Sequence, residues 1–232
     1  MRIAISSTAC NGKTSFIKSF LKQWPTYTQP KNTYRDFIES KGLSLNMDGT
    51  VESQRIIRDA LSDQAMENSD EEQCIHDRCI LDNLMYTLYL AETGKIDDDE
   101  FIGESFHITR EVLKMYDVIF FLPLSKLSPV NLEERDDREL DLNYRKSINT
   151  LFLEAQQSYK NREGLIFPLE NSPAFIEIFG DEDNGEKTAM AGLYIQDGGD
   201  FKSTDESLLK TIEHAAENEA LEQALLSQLS VE

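Results

Sequence analysis

The chain reads as an α/β protein: a three-layer α/β/α arrangement around a central parallel sheet, followed by an acidic, helical C-terminal extension. Three observations predict this. Strand-like and helix-periodic segments alternate from Arg2 to about Glu170, the pattern of a parallel sheet with helices on its faces. The run Val118–Leu124, VIFFLPL, is continuously apolar, as a central strand buried on both faces must be. Between the first strand and the first helix stands Ser7–Thr14, STACNGKT. It follows the Gly-x-x-x-x-Gly-Lys-[Ser/Thr] pattern of a phosphate-wrapping loop, with serine in the first glycine's place.

Each element has its own signal. Arg2–Ser6 alternates and is β-rich, so it reads as a strand. Lys13–Trp24 carries Phe16, Ile17, Phe20 and Leu21 at helical spacing, and Pro25 closes it. Thr26–Pro30 fits a short second strand, and the segment 34–43 a helix stopped at Gly42. Thr50–Asn68 reads as a helix with Val51, Ile56, Ile57, Ala60, Leu61 and Ala65 inward. Gln73–Arg78 is a short strand ending in charge. Ile80–Gly94 and Glu100–Tyr116 are helices, and Asp117–Leu124 is the apolar central strand. An arginine-bearing loop then leads into a helix ending near Asn161, and Gly164–Glu170, GLIFPLE, is expected as the last strand. Two regions follow: a nucleotide-binding domain over 1–180, and an extension over 181–232 that begins Gly- and acid-rich and then turns helical over Thr204–Leu229.

Composition narrows the function. The 232 residues carry a net charge of −20, half of it in residues 181–232, where 13 acids face three bases. Such a charge repels nucleic-acid backbones and speaks against broad affinity for them. No apolar run approaches the roughly 20 residues that span a bilayer, and no signal sequence opens the chain. The expectation is a soluble, cytoplasmic protein. Cys10, Cys74 and Cys79 are an odd set with no zinc spacing to His76, His107 or His214, so they read as free thiols.

The loop assigns its own roles. The backbone N–H groups of Ser7, Thr8, Ala9, Cys10, Asn11 and Gly12 wrap a nucleotide phosphate, Lys13 pairs with β- and γ-oxygens, and Thr14 holds magnesium through its hydroxyl. Ser7 must turn its side chain away from the ligand. The acceptor of the phosphate is read from later segments. Asp77 and Arg78 leave the third strand together: the carboxylate to take a hydroxyl proton or to orient the acceptor through magnesium, the guanidinium to fork a phosphate. Arg135, Arg138 and Arg145 follow the central strand, where a closing lid neutralises the moving phosphoryl group, with Arg138 expected to join Lys13, Asp77 and Arg78 in catalysis. Gln29, Arg35, Arg55 and Arg58 border an acceptor pocket.

The set SSTACNGKT, TQP, HDRCILDN and ERDDREL…YR resembles the thymidylate-kinase branch of the nucleoside-monophosphate kinases over residues 1–180. That branch has an Arg-Glu-Pro after its second strand. Here Thr28 and Gln29 replace the Arg and Glu before Pro30, so a charge pair used on monophosphate acceptors is missing. YRDFIES, QRIIRDAL, DRCILDN, YTLYL and YDVIFFLPL are similar to single-domain AAA-type phage and bacterial proteins. Some phage members phosphorylate 5-hydroxymethyluracil in DNA. The resemblance therefore implies an ATP- and Mg2+-dependent kinase acting on the hydroxymethyl group of 5-hydroxymethyl-deoxyuridine in DNA, in the host cytoplasm for a phage-encoded chain. Two alternatives remain open: a deoxynucleoside monophosphate kinase, and a regulatory nucleotide-binding ATPase whose acidic tail docks a partner.

Overall fold

The computed structural model describes residues 1–31, 37–38, 41, 43, 46–125, 141–180 and 184–196. Arg35, Arg135, Arg138 and the acidic helix expected over 204–229 lie outside the described residues, as does most of the helix expected over 34–43, of which residues 37, 38 and 41 are helical.

Four parallel strands form one sheet: β1 (Arg2–Ser6), β2 (Cys74–Asp77), β3 (Val118–Phe121) and β4 (Ala174–Glu177), in the order β2-β1-β3-β4. Among the described residues, six full α-helices accompany them: α1 (Lys13–Gln23), α2 (Val51–Glu67), α3 (Ile80–Glu92), α4 (Asp99–Leu113), α5 (Leu142–Lys160) and α6 (Gly185–Gln196). The fold class is the α/β/α arrangement read from the alternation. Side-chain alternation along the central strands builds two cores. Ile3, Ile5, Val118 and Phe120 face α1 and α6, where they meet Phe16, Ile17, Phe20, Met190, Ala191 and Tyr194. Ala4, Ile119 and Phe121 face the opposite way, onto Ile57, Leu61, Leu84, Met85, Leu113, Ile148 and Phe152 of the other four helices. Every residue of β3 is fully buried, the physical reason for its unbroken apolar sequence.

Chain direction makes the functional end. From β1 the chain goes to β2 on one side, then crosses to β3 on the other. Ligands on open parallel sheets bind outside the carboxyl ends of the strands, where the order reverses in this way. Ile5 is in register with Asp77 on one side and Phe120 on the other. The loop after β1 and the Asp77–Arg78 pair therefore emerge side by side.

Two elements differ from the sequence expectation. The last strand is Ala174–Glu177, in register with Val118–Phe121, and Gly164–Glu170 is instead an irregular segment. Pro168 has no N–H for a ladder. Ile166 and Phe167 are buried while Leu165 and Leu169 are exposed, so the apolar run covers a core edge without pairing. Phe167 packs on Phe175, which stacks on Phe121. The second strand, expected over Thr26–Pro30, contracts to a single parallel bridge, Thr28 to Cys74. Thr28 accepts from Ile75 N and donates its own N–H to Gln73 O.

Helix α6 lies beyond Gly180 and belongs to the packed body: the Trp24 ring at the end of α1 lies against Gly192. Among the described residues, no helix is long and apolar enough to cross a membrane.

Candidate active site

Three of the six described helices start at a residue whose side chain caps them. Thr50 Oγ1 accepts from Ser53 N ahead of α2, Asp98 from Phe101 N ahead of α4, and Asp141 from Tyr144 N ahead of α5. Helix α1 differs. It starts at Gly12, which is left-handed (φ 77°) and offers no side-chain acceptor, and its first turn holds no acid. The opening N–H groups and the positive end of the helix dipole are left for an anion. Gly12 is needed here, since other residues pay for a positive φ. Cys10 also takes one (φ 53°).

The loop before α1 is held from outside by side chains. Ser7, the residue in the missing glycine's place, is fully buried, and its Oγ donates to Leu122 O at 2.8 Å. Its side chain thus points at the end of β3. Asn11 Nδ2 reaches Ser7 Oγ, Leu122 O and Pro123 O at 2.8, 2.7 and 3.1 Å. Arg145, the fourth residue of α5, is 3 % exposed. Its Nε donates to Ala9 O at 2.9 Å and its Nη2 to Cys10 O at 3.2 Å. In a planar trans peptide the N–H points opposite the carbonyl. Holding these two carbonyls outward turns the Cys10 and Asn11 amides the other way. Arg145, read from the sequence with the lid arginines, therefore grips the loop itself from an ordered helix.

Lys13 is buried, and its Nζ donates to Ser7 O at 3.1 Å and Thr8 O at 2.8 Å. Burial, with Arg78 nearby, lowers its pKa from 10.5 to about 7, against the opposing pull of Asp82 and Asp77. The ammonium rests on weak carbonyl partners, so a phosphate placed on the loop becomes its strongest counter-charge. Thr14 is exposed at the mouth, and its Oγ1 donates to Asp77 Oδ2 at 2.9 Å. This pairs the last loop residue with the last residue of β2.

Arg78 has a positive φ of 79°. Its Nη1 donates to Asp82 Oδ1 at 3.0 Å and to Tyr86 Oη at 3.4 Å, and its guanidinium lies 5.2 Å from the Tyr86 ring centre. Asp82 is 1 % exposed and accepts further bonds from Ser6 Oγ, Cys79 N and Ser7 N. Beside it, burial and the Asp82 charge push the Cys79 thiol up to about 12, so it stays protonated.

The described members of the expected acceptor set, Gln29, Arg55 and Arg58, make their contacts away from the phosphate loop. Gln29 is exposed at the sheet edge. Arg55 and Arg58 share Glu104 of α4, at 3.3 and 3.5 Å, and flank the Phe101 ring at 5.0 and 5.2 Å. These contacts tie α2 to α4 rather than to the phosphate loop. Two clefts of about 570 and 400 Å3 open away from the loop, one around Arg2 and Asp117, one around Tyr159 and Leu169. The site residues that sequence reasoning missed are Asp82 and Tyr86. Asp82 had a signal: it stands three residues after Cys79 at a helix start, where an acid reaches back to a free N–H.

No protein-family model matches the chain. No curated protein matches it either. Among solved structures, it is similar to deoxyadenosine kinase from M. mycoides with products dCMP and a flexible dCDP bound. The TM-score is 0.57 at 17 % identity, over 85 % of this chain and all of that one. The dCTP-bound form of that kinase gives 0.51 at 18 % identity, over 86 % and 100 %. NadR protein in complex with NR gives 0.55 at 12 % identity, over 88 % of this chain and 52 % of NadR. The parallel α/β fold of the described residues is thus shared with these proteins.

Proposed function

We propose that this protein is an ATP- and magnesium-dependent phosphotransferase acting on a nucleoside or nucleotide. The observation that carries the reading is the 2.9 Å bond from Thr14 Oγ1 to Asp77 Oδ2, at the mouth of a loop whose lysine rests on the carbonyls of Ser7 and Thr8. Phosphate-loop enzymes hold magnesium with the hydroxyl at this loop position and an aspartate from a neighbouring strand. Both groups here are hard oxygen donors of the kind magnesium takes. Bound there, the ion neutralises charge on the β- and γ-phosphates. Lys13 leaves the carbonyls of Ser7 and Thr8 for phosphate oxygens, Arg145 keeps the loop amides presented, and Arg78 supplies a second cation beside the transferred group. As an alternative to holding the ion, the Asp77 carboxylate takes the acceptor's hydroxyl proton. The structural similarity to a deoxyadenosine kinase supports a nucleoside-sized acceptor.

The finer reading is a pyrimidine hydroxymethyl acceptor in DNA, as the resemblance implies. Thr28 and Gln29, standing where the thymidylate-kinase branch has Arg and Glu, favour an uncharged hydroxyl over a monophosphate. The net charge of −20 weighs toward a free acceptor. The test offers γ-labelled ATP with magnesium to four acceptor sets side by side: deoxynucleosides, deoxynucleoside monophosphates, unmodified DNA and DNA containing 5-hydroxymethyluracil. Label on a free nucleoside or nucleotide supports the phosphotransferase reading with a free acceptor. Label on the modified DNA alone establishes the DNA kinase. Label only in inorganic phosphate overturns the kinase reading and leaves an ATPase.

A further inference from the structure

Asp82 is a carboxylate buried to 1 % exposure behind the phosphate loop. A capping role explains only its bond from Cys79 N at 3.2 Å. The same side chain takes Ser6 Oγ at 2.7 Å, Ser7 N at 3.4 Å and Arg78 Nη1 at 3.0 Å. It therefore joins three pieces: the end of β1, the first amide of the loop and the arginine that leaves β2. Burying a carboxylate is costly unless it is paired and hydrogen-bonded, and this one is both. Arg78 depends on it in turn. Its backbone takes a conformation unusual for a residue with a side chain, and its guanidinium is oriented by Asp82 and by the face and hydroxyl of Tyr86.

We infer that Asp82 is the positioning residue of the site: it holds Arg78 as the second cation beside Lys13, aimed at the phosphate chain on the loop. The inference rests on the phosphotransferase reading for its role in turnover, and on the Arg78 geometry alone for its role in anion binding. Asp82 touches no reacting atom and acts through Arg78. Asp82→Asn keeps the size and an acceptor for Ser6 and Cys79 but loses the charge that holds the guanidinium.

The test is a double-mutant cycle over Asp82→Asn, Arg78→Ala and the pair, with Ser6→Ala as control. Turnover of ATP and acceptor is read alongside the affinity for inorganic tripolyphosphate by calorimetry. Asp82→Asn is expected to lower kcat about 30-fold with the KM for ATP changed less than about threefold. Tripolyphosphate affinity should fall with it, and adding it to Arg78→Ala should cost nothing more in either readout. Ser6→Ala, which cuts one bond to Asp82 and leaves Arg78 paired, should keep at least about half of the activity. Additive losses, or an Asp82→Asn variant with normal kcat, would overturn the inference. If Asp82→Asn does not fold, a Ser6→Ala loss as deep as that of Arg78→Ala overturns it too, because the carboxylate would then serve β1. Wild-type protein that binds tripolyphosphate but transfers nothing sinks the kinase reading alone, and the binding cycle still decides the Asp82–Arg78 coupling.

Discussion

The two ends of the sheet treat charge in opposite ways. At the amino end Arg2 is matched to Asp117: its backbone N–H and guanidinium both reach that carboxylate, the Nη2 at 2.8 Å. The N-terminal amine donates to Glu72 O. Both charged side chains are partly exposed, and the pair is complete in itself. At the carboxyl end Lys13 and Arg145 are both buried and both donate to backbone carbonyls, and neither forms an ion pair within 4 Å among the described residues. One end closes a fold. The other holds two buried cations on carbonyl partners, next to the Arg78–Asp82 ion pair. On the proposed function, the difference teaches where binding energy is kept: in cations desolvated before the ligand arrives, whose attraction for phosphate is strong in a low dielectric.

The largest way to break this contrast is at Lys13. Lys13→Ala should reduce phosphoryl transfer about 1000-fold without lowering the melting temperature of the free protein. Its pKa is about 7 in the fold against 10.5 for a free lysine. Between these pH values the folded state binds fewer protons than the unfolded one, so this group's contribution to stability rises with pH across that window. Melting curves at pH 7 and pH 9 should show the rise in wild type and its loss in the variant. Nucleotide binding at pH 8 should take up a proton, visible as a calorimetric enthalpy that changes with the buffer.

Between the two ends lies His76, neutral inside the sheet. Burial lowers its pKa from 6.5 to about 4, and it faces Gln64 and the edge of Tyr116. The unfolded chain binds the proton more readily, so stability is lost as pH falls from about 6.5 to about 4. The loss is about 3 kcal/mol. Denaturant titrations over that range should show it, and a His76→Phe variant should lack this part of the acid limb.

A smaller effect sharpens the picture at the mouth. Thr14→Ala removes the hydroxyl on Asp77 and should lower transfer about 50-fold, with the magnesium concentration for half-maximal activity raised. Unchanged magnesium dependence would detach Thr14 from the ion. The smallest effect belongs to the amino end. Asp117→Asn should destabilise by less than about 1 kcal/mol, and less again in high salt, because the pair is solvent-facing.

Much of this arrangement was legible before any coordinates. The loop from Ser7 to Thr14, the α1 stripe of Phe16, Ile17 and Phe20, and the burial of β3 each follow from local pattern, because period and motif are properties of neighbouring residues. The outward turn of Ser7 also followed, since a side chain inside the loop would occupy the phosphate's place. Gly164–Glu170 misled for the opposite reason. Its apolar residues are as strand-like as those of Ala174–Glu177, and which of the two runs pairs with β3 is settled by competition for one sheet edge. Arg55 and Arg58 misled similarly: an arginine on a helix shows its charge in the sequence but not the Glu104 and Phe101 that claim it.

By itself, then, the sequence determined the layered α/β class, the place of the Ser7–Thr14 loop between β1 and α1, and the emergence of Asp77 and Arg78 beside it. These rest on hydrophobic period and on motif spacing, which act within a few residues. Only the tertiary structure decided that Arg145, 136 residues from Ala9, grips the loop from outside, and that Asp82 joins Ser6 to Arg78. Such bonds form because burial strips water from polar groups and forces each to find a partner. Which partner it finds depends on how the strands and helices have packed.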